Sequence, residues 1–249
     1  MKKLANKKTK KWYKNENIKE SCFYKHNKID GVRKLYYSNG ELRSISRFSN
    51  GKLNGISEFF YYSGNIKRKV EYKNHKKHGS CISYYITGHV FQEYNYVNNR
   101  LSGVFKTYHD NGELSEIGYY KNNKLDGVYK SFTGDGSLLN DYIYLKGKLH
   151  GICKTYFLGK IANKNTMYYG KKNGECVEYY PSSEQIRLIC NFKNDKKHGK
   201  MEKFNKEGKL VFSSIYSEDD LISTIEYDPI GNIVNERNYQ EEFERLKHK

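Results

Sequence analysis

The sequence is poor in residues that separate domains or cross a membrane. Its 249 residues include only two prolines, Pro181 and Pro229, and no low-complexity linker interrupts the chain. The opening stretch MKKLANKKTKKWYK is rich in lysine and has no apolar run, so it matches neither a signal peptide nor a transmembrane helix. These absences predict a cytoplasmic chain with no internal domain boundary and no transmembrane segment.

The chain also lacks the motifs of a catalytic or metal centre. No His-x-x-x-His pair, Gly-x-Ser-x-Gly elbow, Cys-x-x-Cys pair or phosphate-binding loop is present, and each of these chemistries requires its own spacing of side chains. His78, His150 and His198 each precede a recurring glycine, which indicates turn residues rather than ligands. We therefore predict that the protein is not an enzyme and has no cofactor and no metal site.

Apolar residues are too few for a thick hydrophobic core. With tyrosine left out and glycine included, they make up about a third of the chain, against roughly 45–50% in an ordinary globular domain. Tyrosine is abundant instead, with 25 copies. Its ring can pack on a half-buried sheet while its hydroxyl stays in water, so the composition favours sheet surfaces over a deep core.

A repeat of 24 residues organises the chain. Its opening glycine, position 0, recurs at this period and then with slips of one residue, at Gly31, Gly55, Gly79, Gly103, Gly127, Gly151, Gly174 and Gly199. Ser223 stands in the next place. A period of this length is typical of a tandem array rather than of one globular core.

Aromatic residues also recur in register with these glycines. Position 5 is aromatic in every one of the eight glycine-initiated repeats, and we name the set the aromatic column: Tyr36, Phe60, Tyr84, Tyr108, Phe132, Tyr156, Tyr179 and Phe204. Rigid aromatic side chains can anchor a protein partner at low entropic cost. The aromatic column is therefore a candidate face for binding an unknown protein partner.

The loop and turn residues of one repeat predict a β-hairpin. Ser38-Asn39-Gly40 separates two runs rich in aromatic and β-branched residues, as expected for two strands joined by a short loop with a left-handed glycine. With the one-residue slips of the later repeats allowed for, position 20 is always Gly, Asn, Asp or His, the residue types that most readily accept a positive φ. Its members are Gly51, His75, Asn99, Asn123, Gly147, Gly170, Asp195 and Asp219. The chain is predicted to turn left-handed there in every repeat.

The cysteines are predicted to be free thiols. There are five, Cys22, Cys81, Cys153, Cys176 and Cys190, and three of them share position 2. Equivalent residues of adjacent hairpins lie two strands apart, about 9–10 Å, beyond the roughly 7 Å that a disulfide allows between Cα atoms. Free thiols are also consistent with a cytosolic chain.

The two ends of the array have different predicted roles. Residues 1–6 form a basic N-terminal extension, and tandem hairpins, about ten in a single array, occupy residues 7–233. Residues 234–249 end in NYQEEFERLKHK, where Tyr239, Phe243 and Leu246 have helical spacing and the charges suit a helix dipole. We predict a short C-terminal helix that caps the last strand.

Positive charge recurs at position 21. The chain has 45 Lys and Arg against 28 Asp and Glu, and we name the basic residues at this position the lysine column: Lys28, Lys52, Lys76, Arg100, Lys124, Lys148, Lys171 and Lys196. On stacked hairpins they would lie about 10 Å apart along one margin. They either keep the turn soluble or form a track for an anionic surface.

The segments YYSNGELRSISRFSNGKLNG and YHDNGELSEIGYYKNNKLDG resemble the MORN-repeat variant of bacterial proteins in the YwqK-type antitoxin family. The resemblance covers roughly residues 7–233 and rests on YYxNGxL followed by NGKxxG at the 24-residue period. It implies an all-β fold, an elongated single-layer antiparallel sheet of tandem hairpins. It also implies an interaction module, since related proteins are labelled antitoxins and MORN repeats are associated with membranes and anionic phospholipids.

Two hypotheses for function follow. The first is a non-catalytic scaffold for protein binding, an antitoxin-like component whose partner is a toxin. The second is a peripheral binder of anionic lipid at the inner membrane face through the lysine column, with nucleic acid as the less favoured ligand. A basic protein suits a basic toxin less well, because like charges slow their encounter.

Overall fold

The computed structural model describes residues 6–181 and 183–240, whose regular structure is β-strand apart from residues 239–240, which are helical. The chain divides into two compact units, residues 1–124 and 125–249, hereafter the first unit and the second unit. The strands that lie wholly in the first unit are β1 (Lys7–Trp12), β2 (Ile18–Lys25), β3 (Lys28–Ile29), β4 (Gly31–Tyr36), β5 (Leu42–Ser49), β6 (Lys52–Leu53), β7 (Gly55–Phe60), β8 (Ile66–Lys73), β9 (Lys76–Tyr84), β10 (Val90–Val97), β11 (Arg100–Leu101), β12 (Gly103–Tyr108) and β13 (Leu114–Lys121).

The boundary between the units falls within the short strand β14 (Lys124–Leu125). The strands of the second unit are β15 (Gly127–Phe132), β16 (Leu138–Leu145), β17 (Lys148–Leu149), β18 (Gly151–Phe157), β19 (Lys160–Tyr168), β20 (Lys171–Tyr179), β21 (Ile186–Lys193), β22 (Lys196–Phe204), β23 (Leu210–Ser217), β24 (Asp220–Tyr227) and β25 (Ile233–Asn238). The all-β prediction is thereby confirmed.

Consecutive long strands pair as antiparallel hairpins with one register. In the first unit β4 pairs with β5 so that Gly31 lies opposite Phe48, and in the second unit β15 pairs with β16 so that Gly127 lies opposite Tyr144. The register shifts by one residue beside position 5 in both hairpins, which marks a β-bulge. Within the described residues of each unit no further element packs on the sheet, so each sheet is a single layer.

Positive φ values recur at four positions of the repeat, namely 0, 9, 19 and 20. The prediction for position 20 is confirmed, with φ of 68° at Asn99 and 72° at Asp195. The hairpin glycine at position 9 is also left-handed, as Gly112 shows with φ 89°. The opening glycine has a positive φ as well, 100° at Gly79, which the spacing alone did not predict.

Successive turns within a unit are joined by reciprocal hydrogen bonds at position 20. The Asn99 N–H donates to the Lys77 carbonyl over 2.9 Å, and the Asn99 Oδ1 accepts from the Lys77 N–H over 2.7 Å. Asn123 and Leu101 repeat the arrangement, as do Asp195 and Lys172 in the second unit. An Asn or Asp at position 20 therefore has two roles. Its backbone accepts the left-handed conformation, and its side-chain oxygen accepts a hydrogen bond from a backbone N–H of the preceding turn.

A second series of hydrogen bonds joins the hairpin ends. The tyrosine at position 6 donates its hydroxyl proton to the position 5 carbonyl of the next repeat, for example Tyr61 to Tyr84 over 2.8 Å and Tyr85 to Tyr108 over 2.9 Å. In the second unit Tyr180 donates to Phe204 over 2.7 Å. Each of these partly buried hydrogen bonds joins a tyrosine hydroxyl to the backbone of the next hairpin, in addition to the packing of the tyrosine ring.

The core is a single row of small and aromatic side chains across each sheet. In the first unit Val70 lies opposite Cys81 and Cys81 lies opposite Tyr94, and Val70 is only 1% exposed. Tyr94 stacks on Phe105 with 5.6 Å between the ring centroids. Burial raises the pKa of the Tyr94 phenol, so this ring stays neutral within the row.

The predicted capping helix over residues 234–249 is wrong where the structure describes it. Ile233–Asn238 is strand β25, with Ser223 opposite Asn238 and Tyr227 opposite Ile233. Pairing with β24 supplies hydrogen bonds to a strand that would otherwise present a bare edge. Within the predicted helix, only residues 239–240 are helical, and Phe243 and Leu246 lie outside the described residues.

Candidate functional site

Every member of the lysine column is exposed and begins the strand that follows the left-handed turn. A Cβ built on Gly51 would lie 3.5 Å from the Lys28 Cβ, so the stem of one lysine lies beside the turn of the next repeat. Among the described ion pairs, only Lys196 of this set lies near a carboxylate, 3.8 Å from Glu218 Oε2. The members of the lysine column are the first residues of equivalent strands, and they do not line a common pocket.

The aromatic column is half-buried at all eight positions. Its backbone carbonyls accept the tyrosine hydroxyls described above, as at Tyr84 and Phe204. Its side chains lie beside the β-bulge of each hairpin, as at Tyr36. The backbone at these positions therefore helps to join the hairpins, and binding of a partner to the side chains stays a prediction.

A more exposed apolar set occupies position 1, which the sequence analysis did not single out. We name it the aliphatic column: Val32, Ile56 and Val104 in the first unit, and Val128 and Ile152 in the second. These side chains are between 38% and 55% exposed, although each lies in the middle of the sheet width. The recurrence of Val or Ile one residue after the opening glycine could have revealed it.

A groove on the sheet of the second unit brings together side chains from five strands. Two adjoining cavities of 380 Å³ each share Glu178, Leu188 and Lys203 in their lining. The floor is a row of opposed residues, since Cys176 lies opposite Cys190 and Cys190 lies opposite Met201. We name the whole feature the second-unit groove.

Cys176 and Cys190 are opposed on neighbouring strands, a pair that the spacing of the position 2 cysteines does not describe. Cysteines at position 2 are two strands apart, whereas Cys190 lies on the returning strand of the same hairpin, directly opposite Cys176 in the register that the other hairpins share. All five cysteines are free, as predicted, and all five are buried. Burial raises the pKa of the Cys176 and Cys190 thiols, so both are neutral and poor nucleophiles at neutral pH.

Lysines stand over aromatic rings at the edge of this groove. The Lys172 Nζ is 4.9 Å from the centroid of Phe192, and the Lys197 Nζ is 4.8 Å from that of Tyr216. On the other side of the floor, the Lys203 Nζ is 4.9 Å from the centroid of Phe212. Such cation–π contacts hold an ammonium in place without neutralising it.

The acidic residue of the groove already has a partner. The Glu178 carboxylate accepts a hydrogen bond from the Arg187 guanidinium. None of the three groove lysines takes part in a described ion pair, so the lining carries excess positive charge. Over residues 6–181 and 183–240, no group of three His, Cys, Asp or Glu side chains is placed to hold a metal ion.

A family model described as the MORN repeat variant matches residues 29–50, 53–74 and 101–122. No curated protein matches the chain. Solved structures of low similarity include TarM, with 12% identity over 43% of this chain and 20% of that one at a TM-score of 0.28. Another is the Photorhabdus luminescens Tc holotoxin pore, with 11% identity over 93% of this chain and 15% of that one at a TM-score of 0.22.

This chain spans only a fifth of the length of TarM. A mutant of S. aureus TarM is similar to the same extent, with 11% identity over 43% of this chain and 21% of that one at a TM-score of 0.29. The described residues contain no helix with the length and apolar character needed to cross a bilayer.

Proposed function

We propose that this chain, a protein with MORN repeat variants, is a non-catalytic scaffold whose sheet face binds a partner protein. MORN repeats are commonly scaffolds that bind proteins or membranes. The observation that carries the proposal is the aliphatic column, because Val and Ile side chains recur at one exposed position in the middle of the sheet. Position 1 is Ser80, Glu175 and Lys200 in the other three repeats, so the apolar surface is interrupted. Exposed apolar side chains grouped on one face are typical of an interaction site. In its specific form the proposal is antitoxin-like, with a toxin as the partner.

Replacing two residues of the aliphatic column should weaken partner capture. We expect the Ile56→Thr/Val104→Thr variant to lose about tenfold in affinity, because apolar contact area is removed from two repeats of the same sheet face. Threonine is β-branched and keeps the strand preference of the residues it replaces. The measurement is capture of partners from a lysate of the source cell, followed by titration of the purified partner.

The matched control is Ile86→Thr/Val97→Thr, which alters two apolar residues of similar exposure outside the column. It should bind the partner like the parent chain, and equal losses in the two variants would remove the column from the proposal. For the antitoxin-like form, expression of the captured partner alone should arrest growth and co-expression of this chain should restore it. Growth arrest that this chain does not relieve would contradict that form.

The second candidate function is peripheral binding to an anionic lipid surface. It is favoured by the exposure of all eight members of the lysine column. Reversal of Lys28, Lys52, Lys76 and Arg100 to glutamate should reduce binding to phosphatidylserine vesicles by more than about tenfold, since each basic residue near such a surface contributes about 1 kcal/mol. Sedimentation with vesicles at physiological salt measures the effect.

The control for the lysine column carries the same charge change elsewhere. Lys8, Lys10, Lys14 and Lys25 are exposed and lie outside position 21, and their reversal to glutamate should reduce vesicle binding much less. Equal reductions would attribute binding to net charge alone. If the parent chain does not sediment with vesicles at all, the membrane function fails and protein binding remains the proposal.

A further inference from the structure

We propose that the second-unit groove binds an extended segment of a partner protein with the pattern acidic-x-apolar-x-acidic. The inference rests on the proposed function, since it gives the chemistry of one partner segment. It differs from that proposal in its location, because the groove lies on the opposite set of alternating side chains in the second unit. For example, Met201 lies in the groove lining while its neighbour Lys200 does not.

The cations of the groove stand at its two ends. Lys172 and Lys197 lie on strands β20 and β22, two strands apart, and so are separated by about 10 Å. Lys203 stands at the other end, opposite Leu188 on β21. Each ammonium is held over a ring, at 4.8 or 4.9 Å, and two of these rings, Phe192 and Tyr216, line the groove with the three lysines.

The register of β21 measures the distance between the two ends. Lys197 lies opposite Phe192, Met201 lies opposite Cys190, and Lys203 lies opposite Leu188. Phe192 and Leu188 are four residues apart on one strand, which corresponds to about 13 Å at 3.3 Å per residue. An extended peptide places the side chains of residues i and i+4 on one side at the same separation.

The middle of the groove suits an apolar side chain. Cys176, Cys190 and Met201 form its floor, and all three are buried. Thiol and thioether groups are soft and adapt to the shape of the group they contact. Residue i+2 of the bound segment would rest on this floor, about 7 Å from each acidic neighbour.

The charge balance favours an acidic ligand over a neutral one. Glu178 is paired with Arg187, while Lys172, Lys197 and Lys203 have no carboxylate partner among the described ion pairs. Two carboxylates from the partner would supply the missing negative charge. A flat lipid surface fits less well, because Lys172 and Lys197 are half-buried in the sheet, whereas the lysine column at the neighbouring position is exposed.

Comparison with the other repeats shows how to test the groove without disturbing the fold. The positions of Lys172 and Lys197 are occupied in other repeats by Leu53, Leu101 and Leu149, each in a paired strand. The variant Lys172→Leu/Lys197→Leu therefore introduces a residue that this position already accepts. The adjacent pair, Lys171→Leu/Lys196→Leu, makes the same change in charge outside the groove.

The probe is an acetylated and amidated nine-residue threonine peptide with glutamate third and seventh and leucine fifth, a length sufficient to cross the groove at 3.3 Å per residue. We expect the parent chain to bind it with Kd of about 10–100 μM. The Lys172→Leu/Lys197→Leu variant should lose at least about tenfold in affinity, and Lys171→Leu/Lys196→Leu less than about threefold. Isothermal titration measures all three, and circular dichroism confirms that each variant keeps its strand content.

Two control peptides test the pattern itself. Glutamine in place of both glutamates should abolish binding, and a peptide of the same composition with its leucine and glutamates adjacent should bind much more weakly. No binding of the parent at about 1 mM, equal loss in both protein variants, or equal binding of the control peptides would overturn the proposal. Phosphatidylserine vesicles that bind the parent but not Lys172→Leu/Lys197→Leu would assign the groove to lipid and also overturn it.

This experiment is independent of the capture experiment with the aliphatic column. If the peptide does not bind, but partner capture depends on Ile56 and Val104, only the groove proposal is contradicted. If no partner is captured but the peptide binds, the role of the aliphatic column is contradicted and the groove remains a binding site.

Discussion

A Gly79→Ala variant is expected to melt roughly 5–15 °C below the parent chain, since each kcal/mol shifts the melting temperature of a chain this long by about 2–4 °C. Gly79 has a φ of 100°, where an L-residue is strained by about 1–3 kcal/mol. A Cβ built there would also lie 2.0 Å from the Glu71 Oε2. Glu71 must then move, and its hydrogen bond from the Ser80 N–H, 3.3 Å long, is lost.

Two further variants separate backbone strain from the contact with Glu71. Gly134→Ala is the control, because Gly134 has no positive φ and a Cβ there meets nothing within 4 Å; it should melt within about 2 °C of the parent. In a Glu71→Ala background the cost of Gly79→Ala should shrink but persist, since neighbouring sites couple. Equal melting temperatures for Gly79→Ala and Gly134→Ala would show that the opening glycine is not required for its backbone.

The sequence predicts the hairpin fold because the information is local and repeated. The 24-residue period, the glycines before the second strand and the Gly, Asn, Asp or His at position 20 together specify where the chain turns. The structure bears out these turns, as at Gly112 and Asn99. The left-handed opening glycine is less predictable, because its φ depends on a kink between strands rather than on a turn motif.

Contacts between repeats are less accessible to sequence analysis. The residue types at position 20 were explained by their tolerance of positive φ, yet Asn99 also satisfies the Lys77 N–H of the preceding turn. Cys176 and Cys190 are opposed in the register that the other hairpins share, but the residue inserted in the loop before β21 hides that register in the spacing. A register shift of one residue exchanges the two faces of a strand, so the groove could not be assembled from spacing.

The candidate site shows the same limit. The exposure of the lysine column and the half-burial of the aromatic column both followed from the sequence. The hydrogen bonds to the aromatic-column carbonyls, such as Tyr61 to Tyr84, did not, because they join residues of different repeats. The capping helix failed for a related reason. The spacing of Tyr239, Phe243 and Leu246 is helical, but the free edge of β24 supplies a strand partner for Ile233–Asn238, and pairing of that edge takes precedence.

Glu20 is expected to stabilise the first hairpin in a pH-dependent manner. Its carboxylate is buried on β2 and lies 2.9 Å from the Lys11 Nζ on β1 and 2.7 Å from the Arg33 Nε on β4. The hydrogen bond from Lys11, followed by that from Arg33, holds the pKa of Glu20 below its usual value despite burial. At pH 7 we expect Glu20→Gln to lower the melting temperature by about 3–6 °C, because hydrogen bonds to a charged group contribute about 1.5–3 kcal/mol.

The sign of the pH dependence follows from the lowered pKa of Glu20. A carboxyl group whose pKa is depressed on folding stabilises the fold above its unfolded pKa of about 4.3, and that stabilisation is lost as the pH falls through the folded value. The difference in melting temperature between the parent and Glu20→Gln should therefore be constant near neutrality and vanish toward pH 3, where the parent carries a neutral glutamic acid of nearly the same shape. Glu207→Gln, at an exposed loop residue, should match the parent at every pH. A difference for Glu20→Gln that persists unchanged at pH 3 would mean that shape rather than charge joins β1 to its neighbours, and that the ion pairs with Lys11 and Arg33 contribute nothing measurable.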